Sequence, residues 1–305
     1  MQPDLVCLGE PMLEFNCQAD GRYLPGHGGD TSNCAIAAAR QGASVGYLTR
    51  LGQDAFGDSF IRLWRDERVD ASRVERDAEA PTAIYFVDHD AGGHRFSYRR
   101  AGSAASRMSP QWLPQDYVAG ARVLHVSGIS QAISGSACDT VFRAIEVARG
   151  AGRLVSYDTN LRLKLWPLAR ARAITHEAMR AVDIALPGLD DAIHLTGRDD
   201  PDEIVDFYLR LGPNIVALTL GRAGTLVATP DRRERVPVRP VDAVDATAAG
   251  DTFDGAFLAE LLRGADPFAA ARHANAAAAL STLGYGAVAP MPDRTACLEF
   301  LARAD

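Results

Sequence analysis

Short apolar runs alternate along most of this chain with longer segments whose apolar residues recur every three or four positions. "DLVCLGE" (4–10) is a compact apolar run that stops at Gly9, the pattern of a buried strand. In "GGDTSNCAIAAARQG" (28–42), Asp30, Thr31 or Ser32 can cap a helix over 33–40, and Gly42 suits its end. "SVGYLTRLG" (44–52) reads as the next strand, and "DSFIRLWRDERV" (58–69) carries apolar positions at helical spacing. Further strands are expected at 122–128, 153–160, 182–188, 214–221 and 225–230, with helical segments between most of them. After residue 245 the pattern is helical to about 303, and "ANAAAALSTLGYGAVA" reads as a buried helix. Such alternation predicts an α/β fold, a mostly parallel sheet covered by helices.

The pattern breaks at "TAIYFVDHDAGGHRFSYRRAGSAA" (82–105). Two alternating runs flank Gly92-Gly93 and predict a β-hairpin. Inside an α/β chain this is an appendage, a small lid joined by strands near 11–27. No linker, repeat or low-complexity tract appears, so residues 1–305 read as one domain carrying that lid.

Composition narrows the partners. With 305 residues, 47% of them hydrophobic and 23% charged, the chain matches an ordinary globular protein. A net charge of -7 disfavours nucleic acid, yet a local basic site can still take an anionic small molecule. The five cysteines are scattered without metal-like spacing, which points to reduced thiols and a cytoplasmic location. The N-terminus lacks a signal-peptide pattern, and no apolar stretch approaches the ~20 residues that span a bilayer, so no membrane partner is expected.

Ligands of such sheets bind at the carboxyl ends of strands. No Walker-type, dinucleotide-binding, nucleophile-elbow or H-E-x-x-H motif is present. The most specific segment is "DATAAGDTFDGAF" (245–257). Its small residues Ala248, Ala249 and Gly250 leave backbone N–H groups accessible at a helix start, a site suited to phosphate. Asp251 beside them can accept a proton from a hydroxyl. Read alone, Asp251 also fits a plain helix cap.

This segment resembles the C-terminal signature D-T-x-G-A-G-D of the ribokinase-like (PfkB) carbohydrate kinases. "GGDTSNCAIAAARQG" resembles that family's G-G-x-x-x-N-x-A, "RLGQDAFGDSF" its G-x-D-x-F-G, and "LTLGRAGTLV" its T-x-G-x-x-G. The resemblance implies a three-layer ribokinase-like sandwich and an ATP-dependent kinase. Asp251 would be the catalytic base, and Ala248, Ala249, Gly250 and Asp251 the anion hole for the transferred phosphoryl group. Gly28, Gly29, Asp30 and Asn33 would face the sugar; Asn160, Thr219, Gly221, Gly224 and Asn275 would serve the nucleotide. Mg²⁺ is implied, with a monovalent cation near Asp245 and Thr247. There are two departures. The N-x-x-E motif falls at "PGLDDA", giving Gly188 and Asp191, so that Asp191 would act on Mg²⁺ through water. Ala248 replaces a glycine, and the position is therefore expected to avoid φ values that only glycine tolerates.

Substrate selection points to an acid sugar. Tyr98 and Arg100 share one face of the second hairpin strand, with Tyr85 on the first, and Arg162 lies just past a strand end in "YDTNLRLKLW". Arginines suit carboxylates. The F-x-Y-x-R and D-x-N-x-R-x-x-L-W patterns resemble the 2-keto-3-deoxygluconate kinases, which implies that Tyr85, Tyr98, Arg100 and Arg162 touch the substrate. The implied reaction phosphorylates the terminal (C6) hydroxyl of 2-dehydro-3-deoxy-D-gluconate. The alternatives are a fructokinase or other neutral-sugar kinase, and a non-catalytic sugar-acid sensor. On the plainer reading, Arg100 is a solvated hairpin charge and Arg162 pairs with Asp158. A lid face of Tyr85, Phe86, Phe96 and Tyr98 would pair with a second lid and make a homo-oligomer.

Overall fold

The computed structural model describes residues 2–18, 20–90 and 93–303. Gly92, half of the anticipated hairpin turn, lies outside them. The central sheet has nine strands in the order Val69–Asp70, Val45–Leu48, Leu5–Leu8, Val123–Ser127, Leu154–Asp158, Ile184–Leu186, Ile215–Thr219, Thr225–Ala228 and Arg233–Val236. The first seven pair in parallel, and Thr225–Ala228 pairs antiparallel with both its neighbours.

The first strand shows how the layers arise. Its side chains alternate between faces. Leu5 and Cys7 join one buried cluster with Ile36, Phe257 and Phe268, whereas Val6 and Leu8 join another with Val141, Ile145 and Ile204. Helices Asp30–Arg40, Ala249–Leu262 and Pro267–Ser281 supply the first cluster; Gly135–Gly150 and Pro201–Leu211 supply the second. The first strand is apolar throughout because both its faces are covered.

The lid is a four-stranded sheet in the order Tyr23–Gly28, Met12–Cys17, Ile84–Asp90, Gly93–Arg99. Its base is braced by Asp54. One carboxylate oxygen accepts the Gly57 N–H (2.8 Å) and caps helix Ala55–Asp66; the other accepts the N–H of Thr82 (2.8 Å), just ahead of the lid strand. The G-x-D-x-F-G segment is thus a buttress for the lid.

Several expectations need correction. Residues 44–52 form two strands, and the second, Arg50–Gly52, leaves the main sheet to pair with Glu75–Asp77. The first long helix begins at Asp30, with Gly29 as N-cap and no side-chain cap. The alanine-rich helix stops at Ser281, after which Gly284 and Gly286 carry a turn that leaves Tyr285 79% exposed. Edge strand Arg233–Val236 was missed because charge dominates it: Arg233 and Arg235 pair with Asp202. Charged edges of this kind deter strand addition. Among the described residues, no helix is long and apolar enough to cross a membrane.

Candidate active site

Strand Leu5–Leu8 has Val45–Leu48 on one side and Val123–Ser127 on the other, and the chain winds away from it in both directions. A crevice opens at the carboxyl end of such a switch point. Here a cavity of about 1810 Å³ lies between the sheet and the lid. That exceeds the roughly 300–1,000 Å³ of a single small-molecule pocket and leaves room for two ligands.

Two helices form its floor. Gly255 lets helix Ala249–Leu262 lie against helix Asp30–Arg40: a Cβ there would stand 2.4 Å from the Cys34 carbonyl oxygen and 2.7 Å from the Ala37 Cβ. The close crossing brings Asn33 Nδ2 to donate to Asp251 Oδ2 at 2.8 Å. Asn33 Oδ1 is buried without a hydrogen-bond partner among the described residues. Gly29 has φ 109, and a Cβ would stand 2.5 Å from the Glu10 carbonyl oxygen, so glycine is required both for conformation and for space.

Asp251 is enclosed with three more carboxylates, Asp30, Asp158 and Asp254, on the cavity wall. Burial first, then the charge of Asp30, pushes Asp251 up to about 7, while the Asn33 hydrogen bond and Arg162 pull the other way. Burial and the neighbouring aspartates also hold Asp158 and Asp254 well above the ordinary carboxyl range. A carboxyl titrating near neutrality is suited to accept a proton. Above it, the first turn of helix Ala249–Leu262 leaves N–H groups without intrahelical acceptors, and Gly250 borders the cavity. The Ala249 N–H is already turned to the Ala246 carbonyl (3.2 Å), which narrows the expected anion hole to the positions after it. Ala248 corrects a further expectation: it sits at φ 59, in the left-handed region it was expected to avoid. The turn into the helix keeps this geometry although alanine lacks glycine's freedom.

The lid supplies the roof. Register pairs Glu14 with Tyr85 and Tyr85 with Tyr98, so these three residues share the cavity face. The Tyr85 hydroxyl donates to Glu14 at 2.5 Å. Phe96 lies on this same face, while Phe86 lies on the opposite one, stacked on Phe15. The four aromatics expected to form one pairing surface are therefore split between faces.

Arg100 lines the cavity but corrects the plainer reading of a solvated hairpin charge. It is neither a solvated charge nor an uncommitted one: Nε (2.8 Å) and Nη2 both donate to Glu10 Oε2. Burial raises the Glu10 carboxyl above its ordinary value, with Arg100 and then Ser103 acting against this. Arg162 differs. It lines the cavity, donates to the carbonyl of its neighbour Leu161 (2.9 Å), and forms no ion pair among the described residues. The anticipated salt bridge to Asp158 is not made.

The nucleotide side departs most from expectation. Thr219 lines the cavity beside Gly188, to which it is bridged. Gly221 and Gly224 do not line it. A Cβ at Gly224 would stand 2.2 Å from the Val236 carbonyl oxygen, so this glycine admits the edge strand. Asn275 is 5% exposed and fully employed, accepting from Thr225 Oγ1 (2.7 Å) and donating to the Val236 carbonyl (3.0 Å). Asn160, at φ 26, donates to Asp30 Oδ2 at 3.1 Å and so joins the floor beneath the lid. Asp191 Oδ2 accepts the Leu161 N–H (2.8 Å) on the cavity wall. Asp245 staples two loops, accepting from Thr247 Oγ1 (2.7 Å) and from the Gly286 N–H (2.9 Å).

Glu10, Glu14, Asp158 and Lys164 also line the cavity and were not singled out from the sequence as site residues. Glu10 directly follows the first strand's Gly9, a position from which the strand-end rule could have found it.

A sequence model of the pfkB family carbohydrate kinases matches residues 2–294. The chain belongs to that family. Curated pfkB relatives include a 2-dehydro-3-deoxygluconokinase from Thermoproteus tenax, 36% identical over 90% of this chain and 87% of the relative. A second 2-dehydro-3-deoxygluconokinase, from Bacillus subtilis (strain 168), is 31% identical over 99% and 96%. Fructokinase-1 from Zea mays is 32% identical over 98% of each chain. Among solved pfkB structures, a fructokinase from Vibrio cholerae O395 bound to fructose, ADP and calcium ion superposes with a TM-score of 0.89 at 27% identity, covering 99% of this chain and 100% of that one. The fold is ribokinase-like and the protein is a carbohydrate kinase.

Proposed function

We propose that this pfkB kinase transfers the γ-phosphoryl group of ATP to the terminal C6 hydroxyl of 2-dehydro-3-deoxy-D-gluconate. The observation that carries the substrate is Arg162, which lines the cavity, acts on Asp158, Asp191 and Asp251 through its charge, and yet makes no direct ion pair among the described residues. An anionic sugar would give it a direct bidentate contact, since a guanidinium binds carboxylate with good geometry. The two 2-dehydro-3-deoxygluconokinase relatives support the same reading.

In the proposed reaction Asp251 takes the proton of the C6 hydroxyl as that oxygen bonds to the γ-phosphorus. The bond from the γ-phosphorus to the β,γ-bridging oxygen breaks, and ADP leaves. Asn33 holds Asp251 in place through its 2.8 Å hydrogen bond. Backbone N–H groups at Gly250 and Asp251 receive charge on the moving phosphoryl group. Tyr85, Tyr98 and Arg100 meet the sugar from the lid, and Gly28, Gly29 and Asp30 from the floor. Thr219 contacts the nucleotide. The single domain with its lid excludes water as a competing acceptor.

The acid residues fit Mg²⁺ only as a partner of the nucleotide. Among the described residues, no group of three or more His, Cys, Asp or Glu can hold a metal, and one Asp191 oxygen is taken by Leu161. Mg²⁺ commonly keeps several waters and is held by one or two carboxylates plus substrate phosphates; the remaining Asp191 oxygen would reach it through water. When bound, the ion neutralises charge on the β- and γ-phosphates. The monovalent cation falls to the loops stapled by Asp245.

One observation favours a neutral-sugar kinase as the second reading. Arg100 is already matched with Glu10, which leaves one arginine, not two, for a carboxylate. ADP release measured across acid and neutral sugars separates the two. Turnover of the acid sugar supports the proposal; turnover of fructose alone overturns it. Leu24, 60% exposed on the outer lid strand Tyr23–Gly28, is the proposed contact for a second copy. Leu24→Glu should then lower the sedimenting mass, and an unchanged mass would contradict that contact.

A further inference from the structure

The Arg100 pair has a geometry that the proposed chemistry does not use. Glu10 follows the first strand at the switch point and is 1% exposed. Its Oε2 receives two Arg100 nitrogens, and its Oε1 accepts from Ser103 Oγ at 3.0 Å. A buried carboxylate is tolerable only when paired and hydrogen-bonded in this way. Arg100 directly follows lid strand Gly93–Arg99, so the pair joins lid to core. The third guanidinium nitrogen, Nη1, has no hydrogen bond among the described residues, and the side chain borders the cavity with Cζ 5.6 Å from the centre of the Tyr98 ring.

We propose that Glu10 is a positioning residue for the sugar. It orients Arg100 so that the unused N–H edge faces the cavity, and it cancels the arginine's charge. Arg100 then recognises a sugar oxygen by hydrogen bonding, and recognition of charge falls to Arg162. The inference rests on the sugar lying beneath the lid, as proposed above, but not on which sugar it is.

A double-mutant cycle over Glu10→Gln, Arg100→Gln and the double variant tests it, using whichever sugar the wild type turns over best. Each single variant should raise the sugar KM about tenfold, the effect expected from losing a hydrogen bond to a charged group, and leave the ATP KM within about twofold. The double variant should be no worse than Arg100→Gln alone. Additive effects would mean that Glu10 touches the sugar itself and would overturn the proposal. So would an unchanged sugar KM in Glu10→Gln, or an ATP KM that rises with it. Should Glu10→Gln fail to fold, the double variant carries the test, since it replaces the ion pair by two neutral amides. Equal sugar KM in the double variant and Arg100→Gln supports the proposal, and a higher KM in the double overturns it. A wrong substrate assignment would show instead as a preference for neutral sugars in the wild type, with the cycle still readable.

Discussion

The region beneath the lid and the far edge of the sheet both carry short motifs of glycine and asparagine, yet they use their polar residues in opposite ways. Beneath the lid, Asn33 with Asp251 and Asn160 with Asp30 form two hydrogen-bonded pairs bordering one cavity. At the edge, Gly224 and Asn275 serve the backbone of strand Arg233–Val236 and do not border the cavity. Similar motifs therefore border a cavity in one place and support a sheet edge in another. The distinguishing feature is whether a polar atom is left without a protein partner. Asn33 has such an atom in Oδ1; both amide atoms of Asn275 are occupied.

The largest expected effect falls beneath the lid. Asp251→Asn should lower kcat by about 10³-fold or more with sugar binding retained, within the range for losing a general base. Retained turnover would remove Asp251 from that role. In the wild type, only the ionised carboxylate accepts a proton, so kcat/KM of the free enzyme should rise with pH through about 7. Stability runs the other way. The folded-state value of Asp251 lies above its ordinary 3.8, so its contribution is full below about 3.8 and is lost as pH rises through about 7. Asp251→Asn should therefore be more stable than wild type at pH 8, by a few kcal/mol at most, with a smaller gain at pH 5. A gain independent of pH would break this account.

At the sheet edge the expected effect moves from activity to stability. Asn275→Ala should cost about 1–3 kcal/mol through its lost buried hydrogen bonds and leave the ATP KM unchanged. A raised ATP KM without loss of stability would restore Asn275 to the nucleotide and erase the contrast between the two regions. The smallest effect belongs to Ala248. Relief of a left-handed alanine is worth roughly 1–2 kcal/mol, against roughly 0.5–1 for the freedom glycine gains in the unfolded chain. Ala248→Gly should thus stabilise by about 0.5 kcal/mol with activity intact, measurable by denaturant titration; destabilisation would mean that the turn does not carry this strain.

These contrasts also mark how far the sequence could be read. Strand and helix alternation was legible because burial on both faces writes long apolar runs, as in "LVCL", and the lid was legible because one-sided strands alternate. Asp251 and Asn33 were legible because each lies in a compact local motif. The Glu10–Arg100 pair joins residues 90 positions apart, and no local pattern announces it. The left-handed turn at Ala248 was missed for a different reason: the residue type argues against the conformation, and only the surrounding chain imposes it. The employment of the Asn275 amide was not legible because a motif records position but not whether its hydrogen bonds are already satisfied.

The central claim is that Arg162 selects an anionic sugar in this cavity. Its most direct test is the ratio of kcat/KM for 2-dehydro-3-deoxy-D-gluconate to that for fructose, measured in wild type and in Arg162→Ala. The account predicts a wild-type ratio well above one that falls roughly 10- to 100-fold in the variant, the range expected when a charge-assisted contact is lost. A ratio that the variant leaves unchanged, or a wild type that prefers fructose, would contradict it.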